Sequence, residues 1–211
     1  MHIYSFDGED LKTMLVGGVN LLAESKAEID ALNVFPVPDG DTGTNMYLTL
    51  LAGVKEARQL ESSSIGDVAA AAARGCLYGA RGNSGVILSQ IMKGFAEAME
   101  GLEKAGARDV VRAFNMAAGA AYQAVSEPVE GTILTVCRET ALGFERAADR
   151  YSELVRITVH AYKRSRVALK NTPEQLPVLK QAGVVDAGGQ GLVTILYGII
   201  RALRDAAAQK D

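Results

Sequence analysis

Tryptophan is absent from this chain, and aromatic residues make up only 6% of it against 48% hydrophobic residues in all, so the core must be filled by Ala, Leu, Val, Ile and Met. Such small and aliphatic side chains suit close packing of helix on helix. The two cysteines, Cys76 and Cys137, lie far apart in alanine-rich and apolar surroundings. That placement reads as two buried reduced thiols, not as a disulfide or a metal pair. No basic tract occurs and the formal net charge is −3, which removes the electrostatic footprint of a nucleic-acid binder. No apolar run approaches the roughly 20 residues that span a bilayer, and the first residues lack the basic-then-apolar pattern of a secretion signal. The expectation is a soluble, cytoplasmic protein without stable membrane insertion, and its 211 residues fit one domain over 1–211.

Convincing period-two alternation is lacking as well, so the fold class is all-α. Leu11, Met14, Leu15, Gly18, Val19 and Leu22 recur at helical spacing behind Asp7, a candidate cap, and predict a first helix reaching toward residue 30. Met46, Leu50, Leu51 and Val54 mark a second, and the alanine-rich run from Ile65 to Tyr78, entered through Ser64, a third. The same spacing at Val86–Phe95, Val110–Tyr122, Ile133–Phe144, Leu154–Ala161 and Leu192–Leu203 gives five more, with a short helical turn around Glu174 to Lys180. Valine-rich Gly183-Val184-Val185-Asp186 is where a strand is most expected to interrupt the pattern. Short connections favour antiparallel neighbours, hence an eight-helix antiparallel up-and-down barrel.

Alternating direction would bring the starts of the second, fourth, sixth and eighth helices to one end. Those starts are where glycine gathers with small polar residues: Asp39 to Asn45, Gly79 to Gly85, Glu130-Gly131-Thr132, and Asp186 to Gly191. Helix N-termini present unpaired N–H groups to anions, so four of them on one rim would make a phosphate cradle. Within Pro36-Val37-Pro38-Asp39-Gly40-Asp41-Thr42-Gly43-Thr44-Asn45-Met46, two carboxylates stand two residues apart on a stiff loop that enters an apolar helix. Magnesium takes oxygen ligands and is usually held by one or two carboxylates together with substrate phosphates. The plain alternative makes Asp39 and Asp41 turn and N-cap residues and the glycines ordinary helix ends.

Leu32 through Met46, Ala80-Arg81-Gly82-Asn83-Ser84-Gly85 and Gly183 through Gly191 together resemble the N-terminal ATP-binding domain of bacterial fatty acid kinases, which is homologous to the ATP-binding L subunit of dihydroxyacetone kinase. The resemblance covers nearly the whole chain. It implies an eight-helix antiparallel barrel that holds ATP or ADP at one end through two Mg²⁺ ions and leads a longer chain with further C-terminal domains. It also implies that the acyl substrate arrives on a separate fatty-acid-binding protein and is phosphorylated on its carboxylate. The dihydroxyacetone relatives use three metal-binding aspartates; Asp39 and Asp41 match the second and third, and Asn33 stands near the first, with Asp30 as a substitute. Thr42, Thr44 and Asn45 match positions that reach phosphate oxygens. Ser84 and Gly85, after Asn83, match a small-residue turn near phosphate and nucleoside, and Thr132 opens the next helix. Asp186, Ala187 and Gly188 match a late turn lining the nucleoside pocket.

Arg81, between glycines at a helix start, is the leading cation for the rim, ahead of Arg164, Arg166 and Lys170 on the seventh helix, whose plain reading is a solvated face. Neither His2 nor His160 reads as catalytic. An aspartate-nucleophile phosphatase would need a buried strand before Asp39-Gly40-Asp41, which Pro36 and Pro38 disrupt, and a βαβ pattern that is missing. Two other readings stay open: the ATP subunit of a dihydroxyacetone-type kinase, and a non-catalytic nucleotide-binding or interaction module, since no acceptor-side base or substrate pocket stands out. Dimerisation of the chain also stays open.

Overall fold

Apolar spacing and capping fix the first helix, Gly8–Ala31 (α1). Leu11, Met14, Leu15, Val19 and Leu22 form its buried stripe, and the Asp7 carboxylate accepts from the backbone N–H of Glu9 and Asp10 while the Asp7 N–H donates to Asp10. The computed structural model, which describes residues 3–209, continues with α2 (Thr42–Gln59), α3 (Ile65–Tyr78), α4 (Gly82–Met99), α5 (Ala107–Gln123), α6 (Ile133–Ala148) and α7 (Leu154–Lys170). Two short helices, α8 (Thr172–Gln175) and α9 (Pro177–Ala182), precede the last, α10 (Ala187–Gln209). His2 lies outside the described residues.

From α1 to α7 each helix packs on the next; α7 packs on α10, and α10 returns to α1. Eight long helices thus close a ring, the all-α up-and-down barrel that the sequence predicts. Closure depends on small residues, because a Cβ on Gly17 would lie 2.7 Å from the carbonyl oxygen of Gly198. Leu22, Met46, Leu50, Phe144 and Ile157 are buried, and Phe114 stacks on Phe144 with ring centroids 4.2 Å apart. Cys76 and Cys137 are buried, unpaired thiols that burial pushes up to about 12, as the sequence led us to expect of reduced core cysteines. Among the described residues no helix is long and apolar enough to cross a membrane.

The structure corrects the sequence reading in two places. Ser5–Phe6 (β1) pairs antiparallel with Ala105–Gly106 (β2), where no strand was expected; two residues are too few for alternation to register. The single turn expected around Glu174 to Lys180 is two helices divided at Leu176, because Pro177 lacks the N–H a continuous helix needs and opens a new one instead. At Gly183 to Asp186, where a strand would most readily have interrupted the helical pattern, the all-α reading holds: Gly183 caps α9 in the left-handed region, at φ 68°, and the Val184 N–H donates back to Leu179 O at 3.1 Å.

Candidate functional site

The starts of α2, α4, α6 and α10 surround one cavity of about 410 Å³. Of the residues singled out from sequence, Asn33, Asp39, Asp41, Thr42, Asn83, Ser84, Thr132, Asp186 and Gly188 line it. Thr44, Asn45, Arg81, Gly85 and Ala187 do not. Thr44 turns its N–H and its hydroxyl onto the two carboxylate oxygens of Asp30, at 2.9 and 2.6 Å. Asn45 backs onto Gly82, which takes φ 58° and leaves no room there for a side chain. Gly85 is buried against Thr49, Ala187 is buried at the start of α10, and Arg81 donates its backbone N–H to Thr49 at 3.2 Å with its side chain exposed.

The loop between α1 and α2 answers the plain alternative for one of the two carboxylates. Gly40 sits between them at φ 67°, a left-handed turn that glycine enters without strain. Asp41 then occupies the N-cap position of α2, yet its side chain makes no capping bond. Asp30, at the end of α1, caps α2 in its place through the third helical N–H, that of Thr44. Asp39 is exposed, and its Oδ1 accepts from the Asn33 side-chain amide at 2.9 Å.

The charged side chains lining the cavity are Asp39, Asp41, Glu127 and Asp186; among the described residues no Lys, Arg or His lines it. Arg164 is held by Glu139 at 2.5 Å, Arg166 lies over the Tyr162 ring, Lys170 is exposed in the last turn of α7, and His160 stacks on Tyr151. The charged side chains at the cavity are thus all acidic, a surrounding that favours a cation over an unaccompanied anion. Asp186 is 5% exposed; burial pushes its carboxyl up to about 6, against the pull of the backbone N–H groups of Gly189, at 2.7 Å, and Ile133. One carboxylate thereby ties the starts of α6 and α10 together.

A further wall was not singled out from sequence. Val125, Ser126, Glu127 and Val129, from the connection between α5 and α6, line the cavity beside Ile87 and Leu134. The connection is anchored behind by Glu130, which accepts from Tyr122 at 2.8 Å, Thr135 at 2.5 Å and Arg138 at 2.6 Å. Burial raises the Glu130 carboxyl, and the bonds from Thr135, Arg138 and Tyr122 outweigh it, leaving the group below its usual range; burial, then Glu130, push the Tyr122 phenol up to about 12. The break in helical spacing around Pro128 is the sequence signal that marks this connection.

Among the described residues no group of three or more His, Cys, Asp and Glu side chains is placed to hold a metal ion. Asp39 and Asp41 are a pair of hard oxygen donors, and among the described residues neither histidine nor cysteine lines the cavity with them. Such a pair fits Mg²⁺ that completes its shell with phosphates and water, and does not fit zinc.

A family model described as DAK2 domain matches residues 36–201. Protein YloV of Bacillus subtilis is 42% identical over 204 residues, which cover 97% of this chain and 37% of the relative. An uncharacterized protein of Staphylococcus saprophyticus is 41% identical over 202 residues, with 96% and 37% covered. The chain thus spans 37% of the length of these relatives. The crystal structure of the dihydroxyacetone kinase of C. freundii, native form, shares the fold with a TM-score of 0.66 at 16% identity, over 91% of this chain and 34% of that one.

Proposed function

The chain belongs to the DAK2 domain family, and on that premise we propose that it is the Mg·ATP-binding domain of a kinase whose γ-phosphate passes to the carboxylate of a fatty acid presented by a separate fatty-acid-binding protein. The observation that carries the nucleotide reading is Asp41, which stands at an N-cap and does not cap. An acidic side chain left without its structural task, beside Asp39 at the mouth of a cavity ringed by helix starts, is arranged for a cation and the phosphates it accompanies.

Asp39 and Asp41 would hold the metal, which when bound neutralises the phosphates and the negative charge that develops during transfer. The chain's own part is placement. Unpaired N–H groups at the starts of α2 and α4 bind phosphate oxygens, and the Ser84 hydroxyl, held only by a 3.4 Å bond to Thr42 O, is available to join them. Ile87, Val125 and Val129 form an apolar wall that excludes water from the nucleoside side. A carboxylate acceptor is ionised at neutral pH and needs no base.

Calorimetric titration with ATP, with Mg²⁺ and again with EDTA, tests the reading on the wild type and on Asp39→Asn/Asp41→Asn. Binding that requires Mg²⁺ and is lost in the folded variant is the expected result. Unchanged ATP affinity in that variant, or no binding by folded wild type, overturns it.

A further inference from the structure

We propose that Asp30 and Asn33, both at the end of α1, set the metal-binding posture of Asp39 and Asp41 without binding metal themselves; the inference rests on the Mg·nucleotide reading of the site. Asn33 is 7% exposed, and both ends of its amide are engaged. Its Nδ2 donates to Val37 O at 2.8 Å and to Asp39 Oδ1 at 2.9 Å, and its Oδ1 accepts from the Thr42 hydroxyl. These partners fix the amide's orientation. Turned over, it would set an oxygen against the Val37 carbonyl and the Asp39 carboxylate, acceptor facing acceptor. The face that Asn33 shows to Asp39 is therefore its donor face, the wrong polarity for a ligand sharing an ion with that carboxylate. What it does there is aim Asp39, as a hydrogen-bond donor behind a ligating carboxylate does in metal sites generally.

Asp30 acts on the other carboxylate by relieving it. An aspartate at an N-cap ordinarily accepts from the second or third helical N–H, a bond worth about 1 kcal/mol. In α2 the third N–H belongs to Thr44, and Asp30 takes both it and the Thr44 hydroxyl. With that donor already satisfied, Asp41 has one donor fewer to fold down onto, and its side chain makes no capping bond. Asp41 lines the cavity instead. The end of α1 is thus a two-point clamp: one residue orients Asp39 and the other releases Asp41.

The test is Mn²⁺ uptake in the presence of ADP, followed by electron paramagnetic resonance, with thermal unfolding recorded alongside. If Asn33 were a ligand, Asn33→Asp would add a third carboxylate and tighten metal binding. As a positioning residue it loses its donor and sets a like charge against Asp39, so the variant should bind Mn·ADP at least about tenfold more weakly. Asp30→Ala should weaken uptake comparably, and Asp30→Asn, whose amide oxygen still accepts from Thr44, should restore most of it. Equal or tighter uptake by Asn33→Asp overturns the inference for Asn33, and wild-type uptake by Asp30→Ala overturns it for Asp30. Failure of the wild type to take up Mn·ADP would instead overturn the site reading, and the clamp with it. Should Asn33→Asp not fold, the ¹⁵N-labelled wild type decides: the Asn33 side-chain protons should stay protected from exchange when Mg²⁺ and ADP are added, and loss of protection would overturn the positioning role.

Discussion

Asp186 concentrates the chemistry of the site in one residue: it lines the cavity, joins two helix starts, and is buried enough to hold its proton up to about pH 6 instead of the ordinary 3.8. The folded state then binds that proton more tightly than the unfolded chain, so the stabilisation is full below pH 3.8 and is lost as the pH rises through about 6. Asp186→Asn keeps an acceptor for Gly189 and removes the titration. The stability of the variant relative to wild type should therefore grow by up to about 3 kcal/mol between pH 4 and pH 7, measured by urea unfolding across that range. A difference that stays flat with pH would mean that the carboxylate is solvated. At this scale Asp39 and Asp41 are legible in the sequence, because paired acids around a glycine between prolines and a helix are a local arrangement. The task of Asn33 is not legible. Its type suits a ligand, and only the positions of Val37, Asp39 and Thr42 around it show which end of the amide faces Asp39.

Helices in this protein approach closely where glycine or alanine faces a neighbour, so glycine has two opposite meanings at the scale of an element. In α5, Gly119 is exposed, with nothing within 4 Å of where its Cβ would stand. Gly119→Ala should stabilise the protein by about 0.5–1 kcal/mol, the helix-propensity difference. In α10, a Cβ on Gly198 would lie 2.8 Å from the Cα of Gly18 in α1. Gly198→Ala should destabilise by about 1–3 kcal/mol by prising apart the two helices that close the ring. Chemical denaturation of both variants checks the pair, and equal effects would mean that the closure between α1 and α10 is slack. Both glycines look alike in sequence, each inside an apolar-periodic helix. The α5 to α6 connection is the complementary case: its break at Pro128 is visible in sequence, and its service as a cavity wall is not, because that requires the distant α1 to α2 loop and the start of α4 to come to the same cavity.

The closed ring brings cavity and carboxylates together at one end of the molecule, and this chain spans 37% of the length of its relatives. With 37% of the relatives' length, no cationic side chain lining the cavity among the described residues, and the acceptor expected on another protein, the chain alone should bind Mg·ATP and show negligible acyl phosphorylation when given free fatty acid. A radiolabelled-phosphate transfer assay measures this. Robust turnover with free fatty acid would contradict that expectation, and transfer to dihydroxyacetone would move the acceptor to a small hydroxy-ketone. By itself, the sequence determined the helices, their order around the barrel and the end at which four glycine-rich starts collect, since apolar spacing, caps and short connections are properties of neighbouring residues. Only the tertiary structure decided which of the gathered residues face the cavity, that Asp30 and not Asp41 caps α2, and that Asp186 is buried between two helix starts. Those outcomes depend on bonds between groups that share no local pattern, and a chain settles them only when its elements are packed.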